Sequence, residues 1–255
     1  MHPSPAEVAR TLAAGRLPGS ATIACRPGPH PVRHVTDGAG RVLMLSRRDG
    51  RLTEALVPTD GADDTAMVLD VTDVPPVAGA PSLGHAWIAG WAVALSGDDA
   101  REAAIEFAAV DPTGDLLDVE GEFVLHRLDV AEVRLERGGV TLDVDPDEYA
   151  EAEPDPLHAI EWDLLSDLAD HHEPEITTFL KAQLDKAGMP YGAREPRVVR
   201  MDRYGMLVDI GAAKTVRLSY AHPVADRADL ARLLHPVLCP RCAASDSSPE
   251  TSHAV

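Results

Sequence analysis

The sequence is poor in several residue types, and each scarcity excludes a class of protein. Aromatic residues make up only 4% of the 255 residues, so the core must be mainly aliphatic. Three cysteines are too few for a disulfide framework. No apolar run approaches the ~20 residues that cross a bilayer, and the first residues lack the basic and apolar regions of a secretory signal. We therefore expect a cytoplasmic protein without a membrane partner.

Positive charge is also scarce. The chain has 23 Lys and Arg against 42 Asp and Glu, which gives a formal net charge of −19. A nucleic-acid surface needs clustered Lys and Arg to contact phosphates, so we expect no nucleic-acid partner. Hydrophobic residues make up 45% of the chain. This is typical of a globular protein, and the length suffices for one large domain or two modest ones.

Residues 1–150 predict a domain made mostly of short strands. A helix over residues 6–14 precedes runs of period-2 alternation, and a second helix begins near Asp98 and Asp99. Asp37-Gly38 and Gly138-Gly139 are typical of tight hairpin turns. Many short strands with regular turns favour a barrel or sandwich. The predicted strands cover residues 22–25, 33–36, 42–46, 66–71, 86–95, 123–128, 131–135 and 140–144.

Residues 151–242 predict a second domain. An acidic stretch without Lys or Arg, residues 143–175, contains the predicted connector between the domains. Helical periodicity begins at Leu157, and a second helix ends near Gly188. Three alternating strands and a final helix follow. The Ser- and Pro-containing segment 243–255 is predicted to be a disordered tail.

Four segments of the second domain have recognisable local sequences. They are Asp170-His171-His172 ahead of Pro174, residues 201–208, residues 216–220 and residues 229–234. These local sequences resemble those of the small domain that follows the split β-barrel in HugZ-type haem-degrading proteins. The resemblance implies an α+β fold class: an FMN-binding-type split β-barrel plus a C-terminal α/β domain of two helices, a three-stranded antiparallel sheet and a helix. It also implies a homodimer with ligand sites at the subunit interface.

The resemblance implies three alternative functions. The first is haem binding or oxidative haem degradation, with haem iron performing the oxygen chemistry if the protein is an enzyme. The second is a non-catalytic regulator that binds a partner enzyme of tetrapyrrole or respiratory metabolism. The third is a flavin-binding oxidoreductase, with FMN instead of haem. The sequence leaves catalysis itself undecided, because it contains no complete catalytic motif.

Four residues are candidates for cofactor binding by this resemblance. His172 takes the histidine place of the family's Met-Asn-x-x-His signature, although Leu168 and Ala169 replace the Met and Asn. His235 lies where a C-terminal iron ligand is expected. Arg47 and Arg48 follow Ser46 and could contact a flavin phosphate or a haem propionate. The alternative is a structural histidine at a helix junction and ordinary surface arginines.

The segment His235 to Cys242 is also a candidate metal site. His235, Cys239 and Cys242 offer three ligands for zinc, and a structural site would need a fourth from elsewhere. A redox dithiol or two ordinary cysteines are the alternatives.

An aromatic face is predicted on one long strand. His85, Trp87 and Trp91 share this face at strand period. Packing in the core or a dimer interface is one interpretation, and stacking on a planar ligand is the other.

Overall fold

The computed structural model describes residues 1–58 and 61–239. The contacts within the chain divide it into two compact units. The first, which we call the barrel unit, comprises Pro3–Val74 and Ser82–Asp155. The second, which we call the C-terminal unit, comprises Met1–His2, Pro75–Pro81 and the chain from Pro156 onward.

Six antiparallel strands of the barrel unit close on themselves, and a seventh extends the sheet. The strand order is β3-β2-β1-β4-β5-β6-β7, and β3 also pairs with β6, which completes the barrel. Apolar residues alternate along the strands, so that one face fills the interior. The strands are β1 Gly19–Ile23, β2 His30–Thr36, β3 Val42–Arg47, β4 Thr65–Thr72, β5 His85–Ala94, β6 Phe123–Arg137 and β7 Val140–Val144.

Strand β6 is longer than the sequence predicts. We expected two strands over residues 123–128 and 131–135, whereas the structure has one continuous strand. Its pairing with β5 shifts register between Ala89 and Gly90, so the chain continues through an irregularity that we interpreted as a break. Gly90 permits this, because a Cβ atom there would lie 2.0 Å from the carbonyl oxygen of Asp129.

Four helices accompany the barrel: α1 Pro5–Ala13, α2 Arg51–Ala55, α3 Gly97–Val110 and α4 Pro146–Glu151. Ser4 and Glu7 form a reciprocal capping box that begins α1. The sequence analysis did not predict α2 and α4, which are too short to show helical periodicity. Helix α4 occupies part of the acidic segment that we interpreted as a connector, and its Tyr149 is fully buried.

The barrel unit has two apolar clusters. One fills the interior and includes Leu12, Met44, Leu69, Ile88 and Leu128. The other lies between α3 and the outer face of β2, β3 and β6, and includes Val35, Leu43, Phe107 and Leu125. The strands near β2 and β3 are therefore covered on both faces over part of their length.

The C-terminal unit has the predicted arrangement of two helices, a three-stranded antiparallel sheet and a helix. The sheet order is β10-β9-β8. Arg200 and Glu161 form an ion pair at its core, with each side chain 4% exposed. The elements are α5 Glu161–His171, α6 Glu173–Lys186, β8 Arg197–Asp202, β9 Gly205–Asp209, β10 Thr215–Ser219 and α7 Arg227–Leu238.

Among the described residues, no helix combines the length and the apolar character needed to span a lipid bilayer.

Candidate functional site

A pocket of about 870 Å³ opens on the barrel unit. The loop after β1, the first half of β2, the end of β3 and helix α2 surround it. Leu45, Leu52 and Ala55 contribute apolar surface to its wall. The volume lies within the range of small-molecule and cofactor sites.

Basic side chains dominate this pocket. Its described lining includes four arginines, Arg26, Arg33, Arg47 and Arg51, together with His30. Glu54 is the one acidic residue among the described residues that line it. In a chain of net charge −19, arginines whose charges are not balanced by carboxylates attract anions.

Arg33 is held in place by the segment that follows α3. Its Nε and Nη2 donate to the carboxylate of Asp111 at 2.6 and 3.0 Å, and its Nη1 donates to the Thr113 hydroxyl at 3.1 Å. The hydrogen bond from Arg33 lowers the pKa of Asp111 below its usual value. The charge of Arg33 is therefore balanced by Asp111 and its donors are engaged, so that Arg33 forms part of the pocket wall.

Arg47 is held more loosely. Its Nε donates to Asp49 at 2.9 Å, and its Nη1 lies 3.7 Å from Glu122. The hydrogen bond from Arg47 lowers the pKa of Asp49. All three side chains are more than half exposed. Exposed ion pairs contribute little stability, so Arg47 can exchange these partners for a ligand.

Arg51 is available to a ligand. It forms no hydrogen bond or ion pair with any residue that the structure describes, and it lies in the first turn of α2. Arg26, on the opposite loop, donates one hydrogen bond at 3.3 Å to the carbonyl of Val57. These two side chains retain donors for an anionic group.

Two hydroxyls fix α2 against β3. Thr53 donates to the carbonyl of Arg47 at 2.6 Å, and the hydroxyls of Ser46 and Thr53 lie 2.8 Å apart. Because Thr53 uses its proton on the carbonyl, Ser46 must donate to Thr53. The position of Arg51 relative to Arg47 is thereby fixed by backbone and side-chain bonds.

His30 lies between Pro29 and Pro31 at the start of β2 and lines the same pocket. Its Nε2 lies 2.9 Å from the carbonyl oxygen of Pro27. The ring packs over Gly28, where an added Cβ would lie 3.1 Å from the ring carbon Cδ2.

The sequence-predicted cofactor residues fall in different places. Arg47 lines the pocket. Arg48 instead donates from Nε to the carbonyl of Gly121 at 2.6 Å and from Nη2 to the carbonyl of Glu120 at 2.7 Å. His172 and His235 belong to the C-terminal unit. His172 joins α5 to α6, and His235 is an exposed residue of α7.

The predicted metal site is described only in part. The backbone N–H of Cys239 donates to the carbonyl of His235 at 2.8 Å, which places both residues at the end of α7. Cys242 lies outside the described residues. Within residues 1–58 and 61–239, no cluster of three or more His, Cys, Asp or Glu side chains could hold a metal ion. The three-residue site therefore stays a prediction.

The predicted aromatic face lies outside the barrel interior. The rings of His85 and Trp87 are 4.0 Å apart, and Trp91 is 49% exposed. His85 Nε2 lies 2.7 Å from a carboxylate oxygen of Asp70. Trp87 also lines a second pocket of about 410 Å³ on this outer surface. This placement leaves the face available to a ligand or a second subunit and removes it from the core.

Sequence reasoning missed three residues of the basic pocket: Arg26, His30 and Arg33. A signal for them existed, because Arg26, His30 and Arg33 surround the Pro-Gly-Pro sequence of residues 27–29. Such a turn places its flanking residues close together. Arg51 was not predicted either, because it lies on the unpredicted helix α2.

Comparisons with known proteins extend these observations. No protein-family model matches the sequence, and no curated protein matches it at a significant level. A haem-binding protein from Mycobacterium smegmatis has a similar structure, with 20% identity, a TM-score of 0.65, and coverage of 97% of this chain and 100% of that one. The sequence-based fold class, α+β with a split β-barrel and a separate small sheet, is confirmed.

Two further solved structures are less similar to this chain. The protein Atu2129 from Agrobacterium tumefaciens, of unknown function, is 16% identical with a TM-score of 0.46, over 93% of this chain and 97% of that one. An FAD- and haem-binding protein from Mycobacterium smegmatis is 15% identical with a TM-score of 0.34, over 58% of this chain and 77% of that one.

Proposed function

We propose that the basic pocket of the barrel unit binds an anionic, planar cofactor, with haem as the first candidate. The observation that carries this proposal is the concentration of Arg26, Arg33, Arg47 and Arg51 around one pocket of a strongly acidic chain. The similar structure from Mycobacterium smegmatis, which covers 97% of this chain, is a haem-binding protein and supports the choice of haem.

The residues present fit haem in two respects. Arg51 and Arg26 have donors that could bind the two carboxylates, and guanidinium groups match carboxylates in geometry. Leu45, Leu52 and Ala55 offer apolar contact to a macrocycle. Haem supplies, when bound, an iron centre capable of oxygen chemistry. The chain's own contribution is the charge of its arginines and the apolar wall.

Flavin is the second candidate, and one observation favours it. Arg47, at the end of β3, and Arg51, at the start of α2, both line the pocket, and two guanidinium groups suit a phosphate as well as a carboxylate. Neither candidate requires catalysis. A regulator that binds a tetrapyrrole and acts on a partner enzyme, and a HugZ-type haem-degrading enzyme, are finer forms of the same proposal.

The test is a titration of the full chain, separately with haem and with FMN, followed by absorbance. We expect a saturable shift of the haem Soret band, with a dissociation constant below micromolar, or about −8 kcal/mol. Saturable binding of FMN without haem binding would select flavin. Uptake of haem without saturation, together with no binding of FMN, would overturn the proposal.

A matched pair of variants locates the site. Arg51→Gln should weaken binding about tenfold, which corresponds to ~1.4 kcal/mol. Arg101→Gln is the control, because Arg101 is an exposed arginine of α3 that contacts Asp98. Equal affinities of the two variants would place the ligand elsewhere, with His172 and His235 as the next residues to substitute. Sedimentation of the same samples would test the predicted homodimer.

A further inference from the structure

We infer that His30 provides the iron ligand of the basic pocket through its Nδ1 atom. This inference rests on the proposed function, since it concerns how haem is held there. Its basis is the hydrogen bond between His30 Nε2 and the carbonyl oxygen of Pro27, 2.9 Å long.

This bond determines the tautomer of the neutral ring. A carbonyl oxygen only accepts hydrogen bonds, so Nε2 must carry the proton and donate it. In a neutral imidazole the other nitrogen then holds the lone pair. Nδ1 of His30 is therefore the atom able to ligate iron. Metal-ligating histidines commonly donate their second N–H to a backbone carbonyl, which orients the ring and increases its basicity.

The surrounding backbone holds this ring in position. His30 lies between Pro29 and Pro31, whose rings restrict the main chain on both sides. Its ring rests on Gly28 so closely that an added Cβ would lie 3.1 Å from Cδ2 and 3.3 Å from Nε2. A ligand held by a fixed backbone needs little reordering when it binds.

The location of His30 also suits the charges around it. It is the sole histidine among the described lining residues, and the arginines that could bind the haem carboxylates share its pocket. His34, four residues further along the same strand face, is buried in the interior and is absent from the described lining. His30 and the arginines with donors for carboxylates therefore line one cavity.

The tautomer can be tested without any cofactor. Long-range ¹H–¹⁵N spectra of the full chain, recorded at a pH where the His30 ring is neutral, should show a protonated Nε2 and an unprotonated Nδ1. Gly28→Ala should perturb these signals, because the added methyl group displaces the ring. A His30 ring protonated at Nδ1 in its neutral form would overturn the inference.

Ligation is tested with haem and the His30→Ala variant. His222→Ala is the matched control, because His222 is also exposed and its Nδ1 lies 3.3 Å from the carbonyl of Pro223. We expect His30→Ala to lose the imidazole-ligated absorbance and electron paramagnetic resonance signals and at least tenfold in haem affinity. Added imidazole should restore the signals. His222→Ala should match the unaltered chain.

The outcomes separate this inference from the proposed function. If the unaltered chain binds haem and His30→Ala keeps the same imidazole-ligated spectrum, the ligand is another residue and the inference fails while haem binding stands. His172→Ala and His235→Ala, measured in parallel, would then identify it. If the unaltered chain takes up no haem saturably, both haem binding and ligation by His30 fail.

Discussion

Arg33 and Asp111 are joined by two parallel hydrogen bonds of 2.6 and 3.0 Å, between the strand that borders the basic pocket and the residue that ends α3. Asp115 adds a weaker contact at 3.4 Å. This fork gives the pocket one arginine of fixed position. It also connects the pocket wall to the helix that covers the outer face of β2.

Asp111→Asn tests the energetic value of this fork. The side chains of Arg33 and Asp111 are 40% and 31% exposed, so solvent screens the pair and the loss should be small, about 1 kcal/mol in the free energy of unfolding. Urea denaturation at neutral pH measures it. Asp98→Asn, at a side chain that is 97% exposed, should change nothing measurable. Equal stabilities of the two variants would contradict the prediction.

The stability that the Arg33–Asp111 pair contributes should decrease as the pH falls. The folded pKa of Asp111 is lowered by Arg33, so its contribution is fully present above the unfolded value and is lost as pH falls through the folded one. The difference in stability between Asp111→Asn and the unaltered chain should therefore shrink in acid.

The sequence predicted the elements that have strong periodicity. The alternation of Met67, Leu69 and Val71 defined β4, and Leu230 with Leu234 defined the buried face of α7. It did not predict α2, since five residues show no helical period, and it divided β6 into two strands at Asp129 and Val130. A register shift at Gly90 exists only between two strands, so no local pattern could reveal it.

The site was predicted less well, because it is assembled from distant segments. Arg47 was found from its closeness to Ser46. Arg33 and His30 reach the pocket only through the pairing of β2 with β3 and β1, and the position of Arg51 depends on α2. By contrast, the donors of Arg48 are used by the backbone of Glu120 and Gly121. Sequence alone does not distinguish an arginine that lines the pocket from one whose donors bind the backbone.

Two buried histidines should make the barrel unit sensitive to acid. His34 and His126 lie directly opposite Met44 on either side of β3, within the barrel interior. Burial lowers the pKa of each from 6.5 to about 4. Between pH 6.5 and 4, the unfolded chain therefore binds protons at these two histidines, whereas the folded chain does not. Stability should fall over this range by up to about 3 kcal/mol for each histidine.

The measurement is urea denaturation at several pH values between 7 and 4.5. His34→Leu and His126→Leu should each reduce the slope of stability against pH, whatever they do to stability at pH 7. His222→Gln, at an exposed histidine, should leave the slope unchanged. An unchanged slope in both buried variants would show that other groups cause the acid sensitivity.

Gly90→Ala should strongly destabilise the barrel unit. The new methyl carbon would lie 2.0 Å from the Asp129 carbonyl oxygen, so β5 and β6 would have to separate at the bulge. Overpacking of this kind costs typically 1–3 kcal/mol and sometimes more. Gly114→Ala is the control, since nothing lies within 4 Å of its added Cβ. Thermal unfolding followed by circular dichroism should show a lower midpoint for Gly90→Ala alone.

A double-mutant cycle can measure the interaction energy of the ion pair in the C-terminal unit. Arg200 donates from Nε and Nη2 to the two carboxylate oxygens of Glu161 at 3.3 and 3.2 Å, and the backbone N–H of Met201 donates to the same carboxylate at 2.8 Å. Removing one partner leaves the other charge buried without its counter-charge. Glu161→Leu should therefore lower the free energy of unfolding by about 3–5 kcal/mol.

The double variant Glu161→Leu with Arg200→Met should recover most of that loss, because two apolar side chains of similar volume can replace a buried pair at little cost. Denaturation followed by the fluorescence of Trp162 on α5, in a background in which Trp87 and Trp91 are replaced by Phe, measures all four members of the cycle. A double variant as unstable as the sum of the two single variants would show that the charges act independently. The donation of Arg200 to the Pro81 carbonyl at 3.1 Å would then be what the single substitution of Arg200 disrupts.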